Sequence, residues 1–142
     1  MNTAVLLSED LELAQGILGR VATDLSLILD HEIALEDIQV AREHQRAAGE
    51  GGVHISFKRG IQASGRSLQG CLLVPLPTAV TLAAYMMMLP DETVAQERQR
   101  TELDQPFKEA LLEVGKFLAG ACDTVLRRRL GFEVTTRSEG CQ

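Results

Sequence analysis

Two kinds of apolar spacing divide the chain into predicted helices and strands. The clearest helical pattern covers residues 103–131, where apolar side chains recur every three or four positions. Asp104 is a suitable N-cap and Gly131 a suitable C-terminal stop for this helix. Its predicted buried stripe consists of Phe107, Ala110, Leu111, Val114, Leu118, Ala121 and Val125.

A first long helix is predicted over residues 8–30, and it matches the later helix at a constant offset of 101 residues. Shared leucines are expected by chance in two amphipathic helices, but a matched Glu and Gly on the polar face are less expected. The match therefore indicates a duplicated half. The inner stripe of the first helix is predicted to be Leu11, Ala14, Ile17, Leu18, Val21, Leu25 and Ile28. The matched pairs are Leu11 with Leu112, Glu12 with Glu113, Gly19 with Gly120, Thr23 with Thr124, and Leu25 with Leu126.

Alternation of apolar and polar residues predicts four strands. They cover residues 33–43, a segment around 53–58, residues 68–76, and a last segment through Phe132, Val134 and Thr136. Residues 60–65 are predicted as a loop, 78–89 as an apolar helix, 91–102 as a solvated connection with partial helix, and 138–142 as a tail. This order predicts an α+β domain, with helices on one face of an antiparallel or mixed sheet.

Composition narrows the class of protein. The 142 residues fit one domain covering 1–142, and 45% of them are hydrophobic, which is ordinary for a globular protein. The net charge of -6 argues against a nucleic-acid partner and favours protein partners. No apolar run approaches the roughly 20 residues of a membrane span, and the N-terminus lacks a signal-peptide pattern. We therefore expect a cytoplasmic protein without membrane insertion.

Cysteine and histidine offer no metal or catalytic pattern. Cys71, Cys122 and Cys141 are odd in number and lack paired spacing, so reduced thiols are expected. The three histidines lie far apart without a partner at ligand spacing. Phosphate-binding loops, dinucleotide fingerprints and nucleophile elbows are absent from the sequence.

Residues 113–120, EVGKFLAG, resemble the signature helix of the CheC/CheX-type chemotaxis phosphatases. In that family a Glu is followed three residues later by Asn, commonly with one Gly between them and another after. Here Lys116 occupies the Asn position, and Glu109 stands where a Ser or Asp is usual. The segment GRSLQGCLLVPLP resembles the hairpin at the centre of the family fold, and Gln15 occupies the Asn position of the first half.

The resemblance implies hydrolysis of the aspartyl-phosphate on a CheY-type receiver domain of a response regulator. The receiver holds the Mg2+, so the phosphatase needs no cofactor of its own and only positions water. The catalytic candidates are Glu12, Gln15, Glu113 and Lys116, and the partner-binding candidates are Ser8, Glu109 and Gly120. CheX-like proteins commonly form homodimers through their sheets, and a homodimer is expected here.

Two functions remain open from the sequence. A charged lysine cannot accept a hydrogen bond, so Lys116 predicts that phosphatase activity is impaired or confined to Glu12 and Gln15 in the first helix. The alternative is a non-catalytic interaction module of a signalling or flagellar-switch assembly. Glu113 and Lys116 three positions apart are also the spacing of an ordinary solvated ion pair.

The apolar run through Met86, Met87 and Met88 has two readings. Methionine fills irregular gaps in cores, and it also forms adaptable binding surfaces. Core filling is the prediction, because the run continues a helix that is apolar on every side.

Overall fold

The computed structural model describes residues 3–41, 53–63, 65–131 and 135–141. Three strands in these ranges form an antiparallel sheet in the order β2-β1-β3, which confirms the α+β class. The elements are α1 (Thr3–Leu29), β1 (His54–Ala63), β2 (Arg66–Pro75), α2 (Leu76–Met86), α3 (Asp91–Glu97), α4 (Gln105–Leu130) and β3 (Thr135–Cys141).

The core forms around α4, which packs against α1, α2 and the sheet. The prediction for this helix is confirmed, because all seven residues of its apolar stripe are buried. Gly115 permits the close approach to the sheet, since a Cβ there would lie 3.4 Å from both Phe57 Cδ1 and Ser138 Oγ. Phe57 is 1% exposed, because α4 packs over the centre of β1.

Both predicted ends of α4 are confirmed. The Phe107 backbone N–H donates to Asp104 Oδ1 at 3.2 Å, so Asp104 is the N-cap. Gly131 has a φ of 101°, and its N–H donates to the Arg127 carbonyl at 2.9 Å. Three arginines occupy the last turn, where cations offset the negative end of the helix dipole.

The first helix is confirmed in type, but of its predicted stripe only Leu25 is buried. Ile28 is 38% exposed, and the other five residues of the stripe are half-buried. The buried residues of the described helix are Ala22, Leu25 and Leu29. These three residues follow the three-and-four spacing of one helix face, and that face reaches the common core. The helix also begins at Thr3 rather than at Ser8.

The predicted strand over 33–43 is wrong for its described part, because residues 33–41 form no strand; residues 42 and 43 lie outside the description. Only Ile33 of this segment packs against the core cluster. Most of this segment is exposed, so the weak alternation through Ile38 does not reflect a buried strand face.

The predicted loop over 60–65 is also wrong, because β1 continues to Ala63 and pairs with β2 down to Arg66. Gly60 suggested a loop but lies within the strand. A Cβ at Gly60 would overlap the end of the Glu139 side chain, which is exposed and can move aside, so neither a turn nor packing requires this glycine. The turn itself uses Gly65, whose φ is 79°.

The predicted tail over 138–142 is wrong up to Cys141, because β3 extends through it and pairs with β1. Its sequence, TTRSEGC, is too polar to show an apolar alternation. Instead, Asp123 Oδ1 on α4 accepts a hydrogen bond from the Thr136 N–H. Phe132 and Val134, which were predicted to open this strand, lie outside the described residues.

Proline positions set the bounds of the two shorter helices. Pro77 lies in the first turn of α2, which begins at Leu76 rather than at the predicted residue 78. The helix ends at Met86 rather than at residue 89, and Pro90 precedes α3. The partly helical connection is confirmed, since α3 places Val94 in the core with no exposed surface.

Candidate functional site

The three charged candidates on α4 share its exposed face. Glu109, Glu113 and Lys116 are all exposed, as predicted from their positions opposite the apolar stripe. Lys116 Nζ donates to Glu113 Oε1 at 2.9 Å, and both side chains are more than half exposed. This is the ordinary ion pair that the spacing allowed, and it contributes a few tenths of a kcal/mol, about 0.3.

Glu109 has a weaker partner than Glu113. The Gln105 side-chain amide approaches Glu109 Oε1 at 3.4 Å, near the limit of a hydrogen bond. Two glutamates and one lysine give these three candidates a net charge of -1. The face therefore favours a cationic group on a binding partner.

Beside these charges runs an open groove of about 840 Å3, which we call the methionine groove. It lies between the end of α2, the N-terminal half of α4 and β3. Its volume is within the usual range of ligand clefts, about 300–1,000 Å3. The groove is lined by Met86, Met87, Pro106, Glu109, Ala110, Leu112, Glu113, Lys116, Ser138 and Gly140.

Met88, at the end of α2, is both strained and exposed. Its φ is 61°, in the left-handed region where a side chain costs about 1–2 kcal/mol relative to the right-handed conformation. It occupies the position after a helix where glycine is usual, and its N–H donates to the Tyr85 carbonyl at 2.9 Å. Its side chain is 90% exposed. Core filling is thus correct for the half-buried Met86 and Met87 but wrong for Met88.

The two candidates on α1 are also accessible. Glu12 and Gln15 are exposed, and Ser8 is exposed one turn earlier. Arg129 Nη1 lies 3.8 Å from Glu12 Oε2, a long ion pair between partly exposed side chains. Gln15 therefore presents an amide to solvent three residues after an accessible carboxylate, an exposure that the sequence left open.

The candidates on α1 and α4 form two separate sites. Glu12 lies beside Arg129, and one turn later Gly16 lies against Val125, so the two helices run antiparallel. Glu113 and Arg129 are about 24 Å apart along α4, at a rise of about 1.5 Å per residue. The structure does not bring the four catalytic candidates together, and the two pairs lie toward opposite ends of the helix pair.

Matched residues of the two helices make the same local contacts. Thr23 Oγ1 donates to the Gly19 carbonyl at 3.0 Å, and Thr124 Oγ1 donates to the Gly120 carbonyl at 3.0 Å. A Cβ added at Gly19 or at Gly120 would meet no atom within 4 Å. Neither glycine is needed for packing inside the protein, although each costs helix stability.

The inner side of α4 holds a second polar cluster with a structural role. The Arg59 guanidinium donates to Cys122 Sγ, and Arg127 pairs with Asp123 at 3.1 Å. Burial raises the pKa of the Cys122 thiol above its usual value, although the nearby Arg59 charge partly opposes this. A buried thiol with a raised pKa is a poor nucleophile. Cys71 and Cys122 are both free, as predicted.

The described parts of the chain hold neither a metal-binding cluster nor a helix that could cross a membrane. No group of three or more His, Cys, Asp or Glu side chains there is placed to hold a metal ion. No helix among the same residues is long and apolar enough to cross a membrane.

Comparison with known proteins adds no relative. No protein-family model, curated protein or solved structure matches this chain.

Several residues around the groove were not predicted from the sequence. Leu112 and Phe117 are exposed large apolar side chains beside the charged candidates, at 42% and 37%. Ser138 and Gly140 line the groove from β3, which was predicted as a tail. The sequence did hold a signal for Met88. No glycine stands between the apolar helix and Pro90, so another residue has to take the left-handed position that ends the helix.

Proposed function

We propose that this chain is a CheC/CheX-like signalling protein that binds the phosphorylated receiver domain of a response regulator. The exposed face of α4 is the docking surface, with Glu113 and Glu109 opposite a cationic group of the receiver. Any hydrolysis of the aspartyl-phosphate is confined to Glu12 and Gln15 on α1. The receiver supplies the Mg2+ that holds the phosphoryl group.

One observation carries this proposal. At matched positions on two antiparallel helices, an exposed glutamate is followed three residues later by an exposed polar side chain. Each site is followed by a glycine with open space around it and by the same Thr-to-Gly hydrogen bond. The matched Glu and Gly carry the argument, because a hydroxyl bonded to the carbonyl four residues earlier is common in helices and also occurs at Ser26 and Thr81.

The chemistry favours α1 as the hydrolytic site. Hydrolysis needs a neutral amide oxygen that accepts a hydrogen bond from the attacking water, and Gln15 carries one. Lys116 carries an ammonium that only donates. Gln is one methylene longer than the family's Asn, and a displacement of about 1 Å can cost about a hundredfold in rate. The expected activity is therefore weak.

A second candidate function is a purely non-catalytic interaction module. The 2.9 Å pair between Glu113 and Lys116 favours it, because both groups satisfy each other without a phosphoryl ligand. Such a module binds through the same face of α4 but leaves phosphate loss unchanged.

The test is the rate of phosphate loss from phosphorylated receiver domains in Mg2+, with and without this protein. The native chain is expected to accelerate the loss, Gln15→Ala to abolish the acceleration, and Lys116→Asn to increase it by restoring an acceptor on α4. Gln39→Ala, at another exposed glutamine, is the matched control. An unaffected rate with the native chain and a gain only in Lys116→Asn would support the non-catalytic module. No effect of the native chain or either variant on several receivers would contradict hydrolysis altogether.

A further inference from the structure

We propose that the methionine groove binds one amphipathic helix of a protein partner, with the apolar ridge of that helix in the groove and its basic residues facing Glu109. This deepens the proposed docking on α4, and it rests on that proposed function only for the identity of the protein that supplies the helix.

The lining of the groove suits an amphipathic helix. Its volume of about 840 Å3 is too large for one inserted side chain. Its walls at Met86, Met87 and Leu112 are apolar, and its charged residues lie along α4 on one side. Amphipathic helices bind in grooves of this kind through apolar residues spaced three and four apart.

Met88 offers an exposed side chain directly after the groove residue Met87. Its side chain is 90% exposed. Its φ of 61° belongs to the end of α2, where its N–H donates to the Tyr85 carbonyl and the Leu89 N–H donates to the Ala84 carbonyl. The fold therefore accounts for the backbone conformation, and the exposed, flexible thioether is what remains for a partner.

Charge decides which helix fits. Among the described residues, Lys116 pairs with Glu113 at 2.9 Å, whereas Glu109 has the weaker 3.4 Å contact from Gln105. A partner lysine or arginine beside the groove would pair with Glu109, while a partner carboxylate would be repelled. The whole chain carries a net charge of -6, which also favours encounter with a basic helix.

The test uses the full chain and a synthetic helical peptide of 18 residues, with leucine at helical spacing on one face and lysines beside that face. Binding is measured by titration calorimetry, and a second peptide replaces the lysines with glutamates. We expect the lysine peptide to bind and the glutamate peptide to bind at least tenfold more weakly. Equal binding of the two peptides, or no binding of either, would overturn the proposal.

Variants locate the bound peptide. Leu112→Asp is expected to weaken binding by at least about tenfold, as for a central apolar contact. Leu130→Asp is the matched control, because Leu130 is 61% exposed on the same helix and does not line the groove. Met88→Gly is expected to weaken binding while raising the urea midpoint. Equal losses in Leu112→Asp and Leu130→Asp would place the peptide elsewhere and overturn the proposal.

Three further results distinguish this inference from a dimer and from the proposed function. A native dimer that becomes monomeric in Leu112→Asp, measured by light scattering, would mean that a second copy fills the groove, and would overturn it. Peptide binding without binding of any receiver domain would contradict the proposed function alone. Receiver binding that is insensitive to Leu112→Asp and Met88→Gly would contradict the groove alone.

Discussion

Two helix glycines point more directly to a binding partner than the charged residues beside them do. Gly19 and Gly120 each weaken a helix, and neither is required by a neighbouring atom within the chain. A glycine without an internal reason on a polar helix face is consistent with close approach of another molecule. Gly120 therefore supports a partner on this face of α4.

Substitution of Gly120 by alanine tests that argument. Gly120→Ala is expected to raise the free energy of unfolding by about 0.5–1 kcal/mol, because helix propensity improves and the added methyl group meets no atom. It is also expected to weaken receiver binding. The measurements are urea unfolding and a binding titration on the same sample.

Gly19→Ala is the control for this prediction. It should give a similar gain in stability, because its surroundings are equally open, but it should leave docking on α4 unchanged. Equal receiver affinity for native protein and Gly120→Ala would remove Gly120 from the docking surface.

Single residues also explain where prediction from the sequence succeeded and failed. Asp104 and Gly131 act within the first and last turns of α4, so local physics predicted both. Gly60 lies within β1, and the nearest side chain over it belongs to Glu139, a residue far along the chain. No local pattern distinguishes such a glycine from one in a loop, and residues 60–65 were predicted incorrectly for that reason.

Among the elements, contacts of the His31 ring with Tyr85 and Asp91 connect the end of α1 to α2 and α3. The His31 ring stacks on Tyr85 with 3.6 Å between ring centroids. Its Nδ1 lies 2.8 Å from the Leu29 carbonyl and its Nε2 lies 3.3 Å from Asp91 Oδ1. Tyr85 donates to the same Asp91 oxygen at 3.2 Å. Both ring nitrogens therefore face acceptors, which suits the doubly protonated imidazolium.

This contact predicts a pH dependence of stability. The hydrogen bond to the Leu29 carbonyl raises the pKa of His31 above its ordinary value of 6.5; partial burial opposes the rise, and Asp91 and Asp30 add to it. Because the folded-state pKa is the higher one, this stabilisation is complete below about pH 6.5 and is lost as pH rises through the folded value. The midpoint of urea unfolding should therefore fall over that interval.

His31→Gln supplies the comparison for that prediction, since it keeps a polar side chain that does not titrate. The variant should show a smaller fall in the unfolding midpoint between pH 6 and pH 8 than the native protein. Parallel curves for native protein and His31→Gln would show that the contact does not couple protonation to folding.

Element prediction followed the strength of each apolar pattern. The stripe of α4 is regular because this helix contacts α1, α2 and the sheet along its length, so its spacing predicted both its type and its buried face. β3 carries polar residues and is held by pairing with β1 and by Asp123, contacts that are distant in sequence. The groove could not be predicted, because β3 supplies two of its lining residues.

At the scale of the whole molecule, the antiparallel packing of α1 and α4 separates two potential docking faces. Glu113 lies about 24 Å along α4 from Arg129, the residue beside Glu12, so one small contact cannot cover both exposed pairs. Under the proposed function, binding and hydrolysis can therefore be lost independently, and α4 can dock a receiver even with Lys116 in place of an Asn. The homodimer expected from the resemblance stays a prediction.

The most direct test of the central claim is the affinity of this chain for a phosphorylated receiver domain in Mg2+, measured by titration for native protein, Glu113→Lys and Glu36→Lys. Glu36 is exposed outside both long helices and controls for the change in net charge. The account predicts binding by the native protein, a loss of about tenfold or more in Glu113→Lys, as expected for a charge-assisted contact, and little change in Glu36→Lys. Equal affinities for all three proteins, or no binding of any receiver by the native chain, would contradict it.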